Sequence, residues 1–167
     1  MLLNYRVLAL LGFAVCAVSM LMAVLYYQNH LGLSPCHLCI FQRVAMMGTG
    51  LVFLVAALHA PSGAGARWSY AALTSIVAGI GVAIAGRHMY VQAHGSNELC
   101  GGTLSYLFDN LSPLAVIQMV MKGDQDCAKV DWTFLGQGMP FWVLVIFVGL
   151  IALAIAMPLL ARRASAR

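Results

Sequence analysis

Residues 141–160 read FWVLVIFVGLIALAIAMPLL, an apolar run without a charged side chain. A helix of about 20 apolar residues is long enough to cross the hydrocarbon core of a bilayer, which is about 30 Å thick. Three windows of similar length precede this run, at residues 7–26, 39–58 and 68–86, and Arg43 is the one charged residue that they contain. Because no alternating strand pattern of about ten residues supports a barrel, the windows predict four membrane-spanning helices.

The composition also indicates a protein of the lipid bilayer. Hydrophobic residues make up 62% of the chain and charged residues 8%, with a mean hydropathy of +0.90, whereas soluble domains are about 45–50% apolar and about 25% charged. This excludes a water-soluble enzyme. The net charge of +4 comes from nine basic and five acidic residues. They are too few and too scattered to bind a polyphosphate chain, so no nucleic acid is expected as a partner. We predict an all-α membrane protein with a single domain, residues 1–167.

Basic residues near the ends of the windows predict the orientation of the chain. Arg6, Arg67 and the three arginines after the fourth window fall on one side, with no acidic residue. The other side holds the uncharged segment 27–38 and the long segment 87–140, which has five acidic and three basic residues. Both termini are therefore expected in the cytoplasm and both larger loops outside. The first window is expected to be an uncleaved anchor, because it is too long for a signal peptide and lacks a small-residue cleavage site.

Residues 112–123 of the long outer segment carry the signals of a short helix. Ser112 is a typical N-cap, Pro113 a typical first residue, and Gly123 after Lys122 a typical stop. The apolar residues between these signals are too few to span a membrane. We expect a helix that lies in the membrane interface, with a packed loop segment as the alternative.

Four of the five cysteines fall on the outer side, where disulfides are permitted: Cys36, Cys39, Cys100 and Cys127. Cys16 lies in the middle of the first window and is expected to be a small buried hydrophobe. Four cysteines permit three disulfide connectivities, and the spacing leaves the choice open.

Cys36-His37-Leu38-Cys39 is a C-x-x-C motif at the start of the second window. Ser34 and Pro35 are favourable N-cap and first-turn residues, so the motif is predicted to lie in the first turn of that helix. The positive potential at a helix N-terminus stabilises a thiolate, and the pKa of both cysteines is expected to lie below the free value of about 8.5. His37 either tunes the two thiols or is an exposed bystander.

Arg43 follows Cys39 by one helical turn and is expected on the same face. An arginine inside a membrane helix costs about 2–3 kcal/mol at the centre and less near the interface, so its presence needs a reason. One reason is a polar ligand or a thiolate held beside Cys39. The alternative is an arginine that snorkels to the outer headgroups.

Cys100 and Cys127 lie in the long outer segment, with Gly101 and Gly102 beside the first of them. A structural disulfide that closes a loop of this size contributes about 3 kcal/mol. A glycine-flanked bridge in a loop is also open to attack by the thiolate of another protein, as thiol–disulfide exchange requires. The second interpretation is favoured, because the C-x-x-C pair needs a source of electrons.

A metal site is the alternative to redox chemistry at these cysteines. Zinc sites commonly use two close ligand pairs, and the sequence has one. A copper or zinc site at Cys36, His37 and Cys39 is therefore the alternative, in a metal-binding or metal-transport membrane protein. His88 and His94 follow the third window and are candidates to meet a ligand at headgroup level, with a solvated role as the default.

Several fragments in this order, with four apolar windows between them, resemble the DsbB family of bacterial inner-membrane disulfide-generating proteins. The resemblance covers nearly the whole chain and rests on Pro35-Cys36, Cys39-Ile40-Phe41, Arg43, Cys100, Asp126-Cys127-Ala128, Asp131-Trp132, Phe134-Leu135-Gly136, Met139-Pro140 and Trp142.

The resemblance implies a four-helix bundle in the inner membrane that oxidises a periplasmic DsbA-type thioredoxin-like partner and passes the electrons to a membrane quinone. Ubiquinone is expected rather than menaquinone, and no metal or flavin. By position, Cys100 and Cys127 are implied to exchange with the partner, with Cys100 forming the mixed disulfide. Cys36 and Cys39 are implied to form the pair that reduces the quinone.

The resemblance further implies that the Cys39 thiolate faces the quinone ring and that Arg43 polarises it. His88 and His94 are candidate quinone contacts. Gln42 departs from the acidic residue expected at this place in some members. Two alternatives remain beside this reading: a structural subunit whose disulfides staple its outer loops, and a quinone-linked oxidase devoted to one dedicated partner.

Overall fold

The computed structural model of the chain describes residues 5–95, 109, 112–123 and 125–165. Four long helices dominate it, and the first continues directly into a π-helical segment, Met22–His30. Smaller elements lie between the third and fourth long helices. In chain order the elements are α1 (Tyr5–Leu21), the π-helical segment, α2 (His37–His59), α3 (Ala64–His94), α4 (Pro113–Lys122), α5 (Gln125–Ala128), β1 (Thr133–Phe134), β2 (Gln137–Gly138) and α6 (Met139–Ser165).

The four membrane spans predicted from the sequence are confirmed. Four helices of the described chain are long and apolar enough to cross a membrane, at Tyr5–His30, His37–His59, Ala64–His94 and Met139–Ala161. They form a bundle in which α2 packs on α1 and α3, while α6 packs on α3 and α1. The fold is the all-α membrane bundle that we expected.

Small residues allow the helices to approach closely. A Cβ atom at Gly12 would lie 2.7 Å from the ring of Phe53, so α1 and α2 meet at a glycine. Gly81 receives the ring of Phe147 in the same way where α3 meets α6. Close backbone approach of this kind strengthens van der Waals packing, which drives helix association where lipid removes the hydrophobic driving force. Cys16 is 2% exposed in this core, as predicted.

A second cluster of buried apolar side chains attaches the smaller elements to one end of the bundle. It joins the start of α2, the last turns of α3, and helices α4 and α5. Its members are Leu38, Ile84, Val91, Val116, Val120 and Cys127. The cluster places α5 beside the beginning of α2, and this brings the cysteines of two distant segments together.

The short helix predicted at residues 112–123 is present as α4. The Ser112 hydroxyl accepts from the backbone N–H of Ala115 at 3.4 Å, and Pro113 is the first residue. Gly123, with φ +78°, follows the last residue, Lys122. The local capping signals therefore predicted both ends of the helix.

The third helix extends beyond its predicted end at residue 86 and runs to His94. The prediction stopped before Arg87, because a charge is costly in a membrane helix. The structure satisfies this charge: Arg87 donates from Nε to the carbonyl of Met121 at 2.7 Å and from Nη2 to that of Lys122 at 3.0 Å. His88 and His94, which the sequence placed after the third window, therefore both lie within α3.

The first helix also runs further than predicted, to His30 rather than Tyr26, because the π-helical segment continues it. Close to the π-helical segment, β1 and β2 form an antiparallel hairpin that leads into α6. Its turn, Leu135-Gly136, has φ values of +51° and +77°. Positive φ at both central residues is the mark of the tight turns that match the twist of a hairpin.

Candidate functional site

The C-x-x-C motif lies at the beginning of α2, as the sequence predicted, but its cap differs. Cys36 itself is the N-cap, with extended backbone, and its sulfur accepts from the backbone N–H of Cys39 at 3.4 Å. Ser34, the predicted N-cap, lies two residues before Cys36. The helix therefore begins at His37, and a sulfur atom satisfies one of the N–H groups that a helix start leaves without a partner.

The two sulfurs of the motif lie close to each other. Cys36 donates to Cys39 across an Sγ–Sγ distance of 3.1 Å. A disulfide bond is about 2.05 Å long and tolerates a limited range of side-chain torsions. The two sulfurs must therefore approach by about 1 Å for the bond to form.

Cys127 reaches the same place from α5. Its side chain is buried, and its thiol hydrogen-bonds to the sulfur of Cys36. Cys36 thus lies between Cys39 and Cys127. Three of the four cysteines predicted to be catalytic are brought together, whereas Cys100 lies outside the described residues.

The environment of Cys36 favours its thiol over its thiolate. A hydrogen bond from Cys127 lowers the pKa of Cys36, but the hydrogen bond that Cys36 donates to Cys39, together with burial, raises it more, to about 12. The expectation of a lowered pKa is therefore wrong for Cys36. The helix N-terminus stabilises a negative charge, but this sulfur is a hydrogen-bond donor in an apolar pocket, and loss of its proton removes that bond.

His88, on α3, links the two elements that carry these cysteines, α2 and α5. It is 3% exposed, and its Nε2 lies 3.2 Å from the carbonyl oxygen of Cys127 and 3.8 Å from Sγ of Cys36. A carbonyl only accepts, so Nε2 carries the proton and Nδ1 accepts from the side-chain amide of Gln42 at 3.2 Å. Gln42, which the sequence marked as a departure from the resembling family, thus orients the imidazole.

Arg43 lies on the same side of α2 as Cys39 and is held by the neighbouring π-helical segment. Nη1 donates to Oε1 of Gln28 at 2.8 Å and Nη2 to the carbonyl of Ala23 at 3.2 Å. Hydrogen bonds within the protein therefore compensate part of the cost of the charge. They also fix the guanidinium on the wall of a neighbouring cavity.

A cavity of about 630 Å³ opens between the π-helical segment, α2, α6 and the hairpin. Small-molecule sites in proteins are mostly apolar clefts of about 300–1,000 Å³ with a few polar groups, and this cavity has that character. The apolar and aromatic part of its wall includes Met22, Tyr26, Tyr27, Met46, Trp132, Phe134, Trp142 and Ile146. The polar residues and cysteines on its wall include Cys36, Cys39, Gln42, Arg43, His88, Gln92, Asp126, Lys129 and Asp131.

The remaining histidines are placed differently. The ring of His94 stacks on Tyr90 at 4.1 Å and its Nδ1 donates to the Tyr90 carbonyl at 3.0 Å. His94 does not belong to the set of residues that lines the cavity. Within the part of the chain that the structure describes, the grouped metal-ligating atoms belong to Cys36, Cys39 and His88, all within 4.8 Å of one another. The metal set predicted with His37 is therefore corrected to one with His88.

Sequence reasoning missed Gln42 as a partner of His88 and missed the aromatic wall of the cavity. Gln42 follows Cys39 by three residues, and this spacing puts the two side chains on neighbouring positions of one helix face. The spacing could therefore have indicated Gln42 as part of the site. Nothing local to Trp132 or Phe134 could have indicated a shared cavity, because they reach it from a hairpin.

Comparisons with known proteins show which chains this one is similar to. The family model described as "Disulfide bond formation protein DsbB" matches residues 5–157. A relative named disulfide bond formation protein B from Xanthomonas oryzae pv. oryzae (strain MAFF 311018) is 44% identical over 164 residues, which cover 97% of this chain and 95% of that protein. The protein of the same name from Xanthomonas campestris pv. campestris (strain 8004) is 47% identical over 88% of this chain and 86% of that protein. The one from Methylococcus capsulatus is 47% identical over 87% of this chain and 88% of that protein.

Proposed function

The chain belongs to the DsbB family of disulfide bond formation proteins, and from this membership we propose a quinone-dependent protein-disulfide oxidoreductase. In this proposal the protein reoxidises a periplasmic DsbA-type dithiol and passes the electrons to a quinone in the inner membrane. Both chain termini then lie in the cytoplasm and the cysteine-bearing segments in the periplasm.

The first proposed step is exchange with the partner. A partner thiolate attacks a Cys100–Cys127 disulfide at Cys100, which forms a mixed disulfide and releases the thiolate of Cys127. The second partner thiolate then attacks the mixed disulfide, so that the partner leaves oxidised and Cys100 leaves reduced. Two electrons have entered the protein as two thiols.

The second step transfers these electrons to the C-x-x-C pair, and the contact between Cys127 and Cys36 supports this route. The Cys127 thiolate attacks Cys36 of a Cys36–Cys39 disulfide; a Cys36–Cys127 bond forms and Cys39 leaves as a thiolate. Cys100 then attacks Cys127, which restores the Cys100–Cys127 disulfide and releases Cys36. Cys36 is the suitable point of attack, because its sulfur is the one that touches Cys127.

The last step uses the cavity beside Cys39. A quinone, when bound there, supplies an acceptor for two electrons and two protons. The size and the aromatic walls of the cavity suit a flat ring with an apolar tail, and ubiquinone is the quinone that we propose. Cys39 offers its sulfur on the cavity wall, and Arg43 offers a fixed positive charge for the oxygen that gains electrons. His88 lines the same cavity and holds a proton at Nε2.

The observation that carries the proposal is the position of the C-x-x-C motif, between Cys127 on one side and an apolar cavity on the other. A thiol pair placed in this way has access both to a protein thiol and to a lipid-soluble molecule. A structural subunit whose disulfides only hold its outer loops together needs no such cavity.

The test measures turnover of the purified full-length protein with a reduced DsbA-type partner and a soluble ubiquinone analogue. We expect Cys39→Ser to abolish turnover, and Arg43→Ala to raise the apparent KM for the quinone by about tenfold, which corresponds to the loss of one charge-assisted contact. Cys16→Ser is the matched control, because this thiol lies in the bundle core away from the site, and it should leave turnover unchanged. Full activity of Cys39→Ser, or full turnover without any acceptor, would contradict the proposal.

A further inference from the structure

We propose that the reduced protein binds one thiophilic divalent cation, with Zn²⁺ as the probe, through Sγ of Cys36, Sγ of Cys39 and Nε2 of His88. This is a second property of the C-x-x-C region. It concerns the dithiol form of the protein alone and does not depend on the identity of its electron acceptor.

The distances between the three ligand atoms suit a tetrahedral ion. Zinc binds thiolate at about 2.3 Å and imidazole at about 2.0–2.1 Å, so a tetrahedral site needs ligand atoms about 3.8 Å apart for two sulfurs and about 3.5 Å for sulfur and nitrogen. Nε2 of His88 lies 3.8 Å from Sγ of Cys36. The two sulfurs lie 3.1 Å apart and must separate by about 0.7 Å, which side-chain rotation provides.

The charge of the ligand set favours a divalent ion. Two thiolates and a neutral imidazole carry two negative charges, so a divalent cation makes the group neutral, whereas a monovalent one leaves a net negative charge. His88 is 3% exposed and the cavity walls are mostly apolar. A net charge is costly in such surroundings. Two sulfur ligands exclude magnesium and calcium, which take oxygen ligands.

The ion also has an entry path and a fourth position. All three ligand residues line the cavity of about 630 Å³, so a water molecule can complete the coordination from that side. Three protein ligands with an open position are the usual arrangement of accessible zinc sites.

Gln42 supports the imidazole in either state. Metal-ligating histidines usually donate their other ring N–H to an oxygen, and the side chain of Gln42 lies 3.2 Å from Nδ1 of His88. When Nε2 holds the metal, Nδ1 carries the proton, and the amide of Gln42 presents its oxygen after a half-turn. The metal takes Nε2 away from the carbonyl of Cys127, so it also loosens the attachment of α5.

Binding is controlled by the redox state of the protein. The reaction is one M²⁺ with two thiols, which forms two metal–sulfur bonds and releases two protons. A Cys36–Cys39 disulfide removes both thiolates, so the oxidised protein has no site. A bound ion holds both sulfurs and therefore keeps the protein in its reduced form.

The experiment titrates the full-length protein in detergent with Zn²⁺ against a chromophoric chelator, after reduction with a phosphine that does not bind zinc. The background is Cys100→Ser/Cys127→Ser, in which the loop thiols cannot contribute. We expect one Zn²⁺ per reduced chain and none per oxidised chain. Co²⁺ should give sulfur-to-cobalt charge-transfer absorption together with the intense bands of a tetrahedral ion.

Three variants distinguish this site from a simple pair of thiols. His88→Gln should weaken Zn²⁺ binding by more than about tenfold, and Gln42→Ala by about tenfold to 100-fold. His37→Ala is the matched control: this histidine lies between the two cysteines in sequence but outside the ligand group, and its loss should leave the affinity unchanged. Circular dichroism of each variant checks the helical fold.

Equal Zn²⁺ affinity in His88→Gln and the wild-type ligand set would overturn the proposal, and so would equal binding to oxidised protein. Loss of binding in His37→Ala would transfer the site to the local Cys36-His37-Cys39 set and overturn it too. If His88→Gln loses its fold, Gln42→Ala decides: unchanged affinity contradicts the site. None of these outcomes bears on quinone-dependent turnover, so the two proposals fail separately.

Discussion

Cys36 contacts Cys39, Cys127 and the ring of His88. It is the residue at which a thiol from the outer segment meets the thiol on the cavity wall. Because it donates to Cys39 and is partly buried, its pKa is raised and it keeps its proton well above neutral pH. In the exchange that we propose, Cys36 therefore receives an attack as half of a disulfide more readily than it delivers one as a thiolate.

The raised pKa of Cys36, about 12, predicts how the reduced protein reacts with iodoacetamide. Only the thiolate reacts, so a group that stays protonated to about pH 12 should react about tenfold faster for each pH unit between about 7 and 11. Mass spectrometry of the peptide that contains Cys36 measures this rate. The denatured protein is the control, and its rate should level off near pH 9; a plateau below pH 10 in the folded protein would show that the pKa is not raised.

At the scale of elements, the glycines of α3 decide how closely it packs on α6. Gly81 receives the ring of Phe147, whereas Gly79, on the same helix, has no atom within 4 Å of the position of an added Cβ. The two positions differ in packing but not in helix propensity. They are therefore a matched pair for testing the contact.

Gly81→Ala should lower the free energy of unfolding by about 1–3 kcal/mol, because the added methyl group forces the ring of Phe147 and the two helices apart. Gly79→Ala should be neutral or stabilise by up to about 1 kcal/mol, because alanine is the better helix former. Thermal unfolding of the two variants in the same detergent measures the difference. Equal stability would mean that the α3–α6 contact tolerates expansion.

At the scale of the whole molecule, side-chain hydrogen bonds join the described outer elements to the bundle. Arg87 is the most prominent: it caps the carbonyl end of α4 with two hydrogen bonds, at 2.7 Å and 3.0 Å. The same outer elements carry Cys127. The arginine therefore helps to hold the outer elements, which include the segment with Cys127, against the bundle.

Arg87→Met should weaken the docking of α4 by about 1.5–3 kcal/mol, the usual range for hydrogen bonds from a charged group. Hydrogen exchange of the α4 amides should then be at least about tenfold faster, while the middle of α2 stays protected. Arg87→Lys keeps the charge but not the planar set of donors, so its α4 exchange rate should lie between those of the wild type and Arg87→Met. Unchanged exchange in α4 would show that apolar contacts alone hold the outer elements.

Much of the architecture follows from local properties of the chain. Apolar windows of sufficient length predicted the four spans, and Ser112, Pro113 and Gly123 predicted α4 with its ends. The C-x-x-C motif was recognised at a helix start. The end of α3 could not be predicted in this way, because the carbonyls that receive Arg87 belong to a distant part of the chain. The end of α1 was missed because a π-helical segment continues it to His30.

The sequence by itself determined the class of protein, its four long helices and the place of the C-x-x-C motif at a helix start, because hydropathy and capping act within about 20 neighbouring residues. Only the tertiary structure decided that Cys127 contacts Cys36 and that His88, rather than His37, lies beside the two thiols of the motif. It also decided that Gln42 orients the ring of His88. These residues are tens of positions apart, and their contacts depend on how α2, α3 and α5 pack. The physical reason is that packing is a property of whole elements, which no single segment contains.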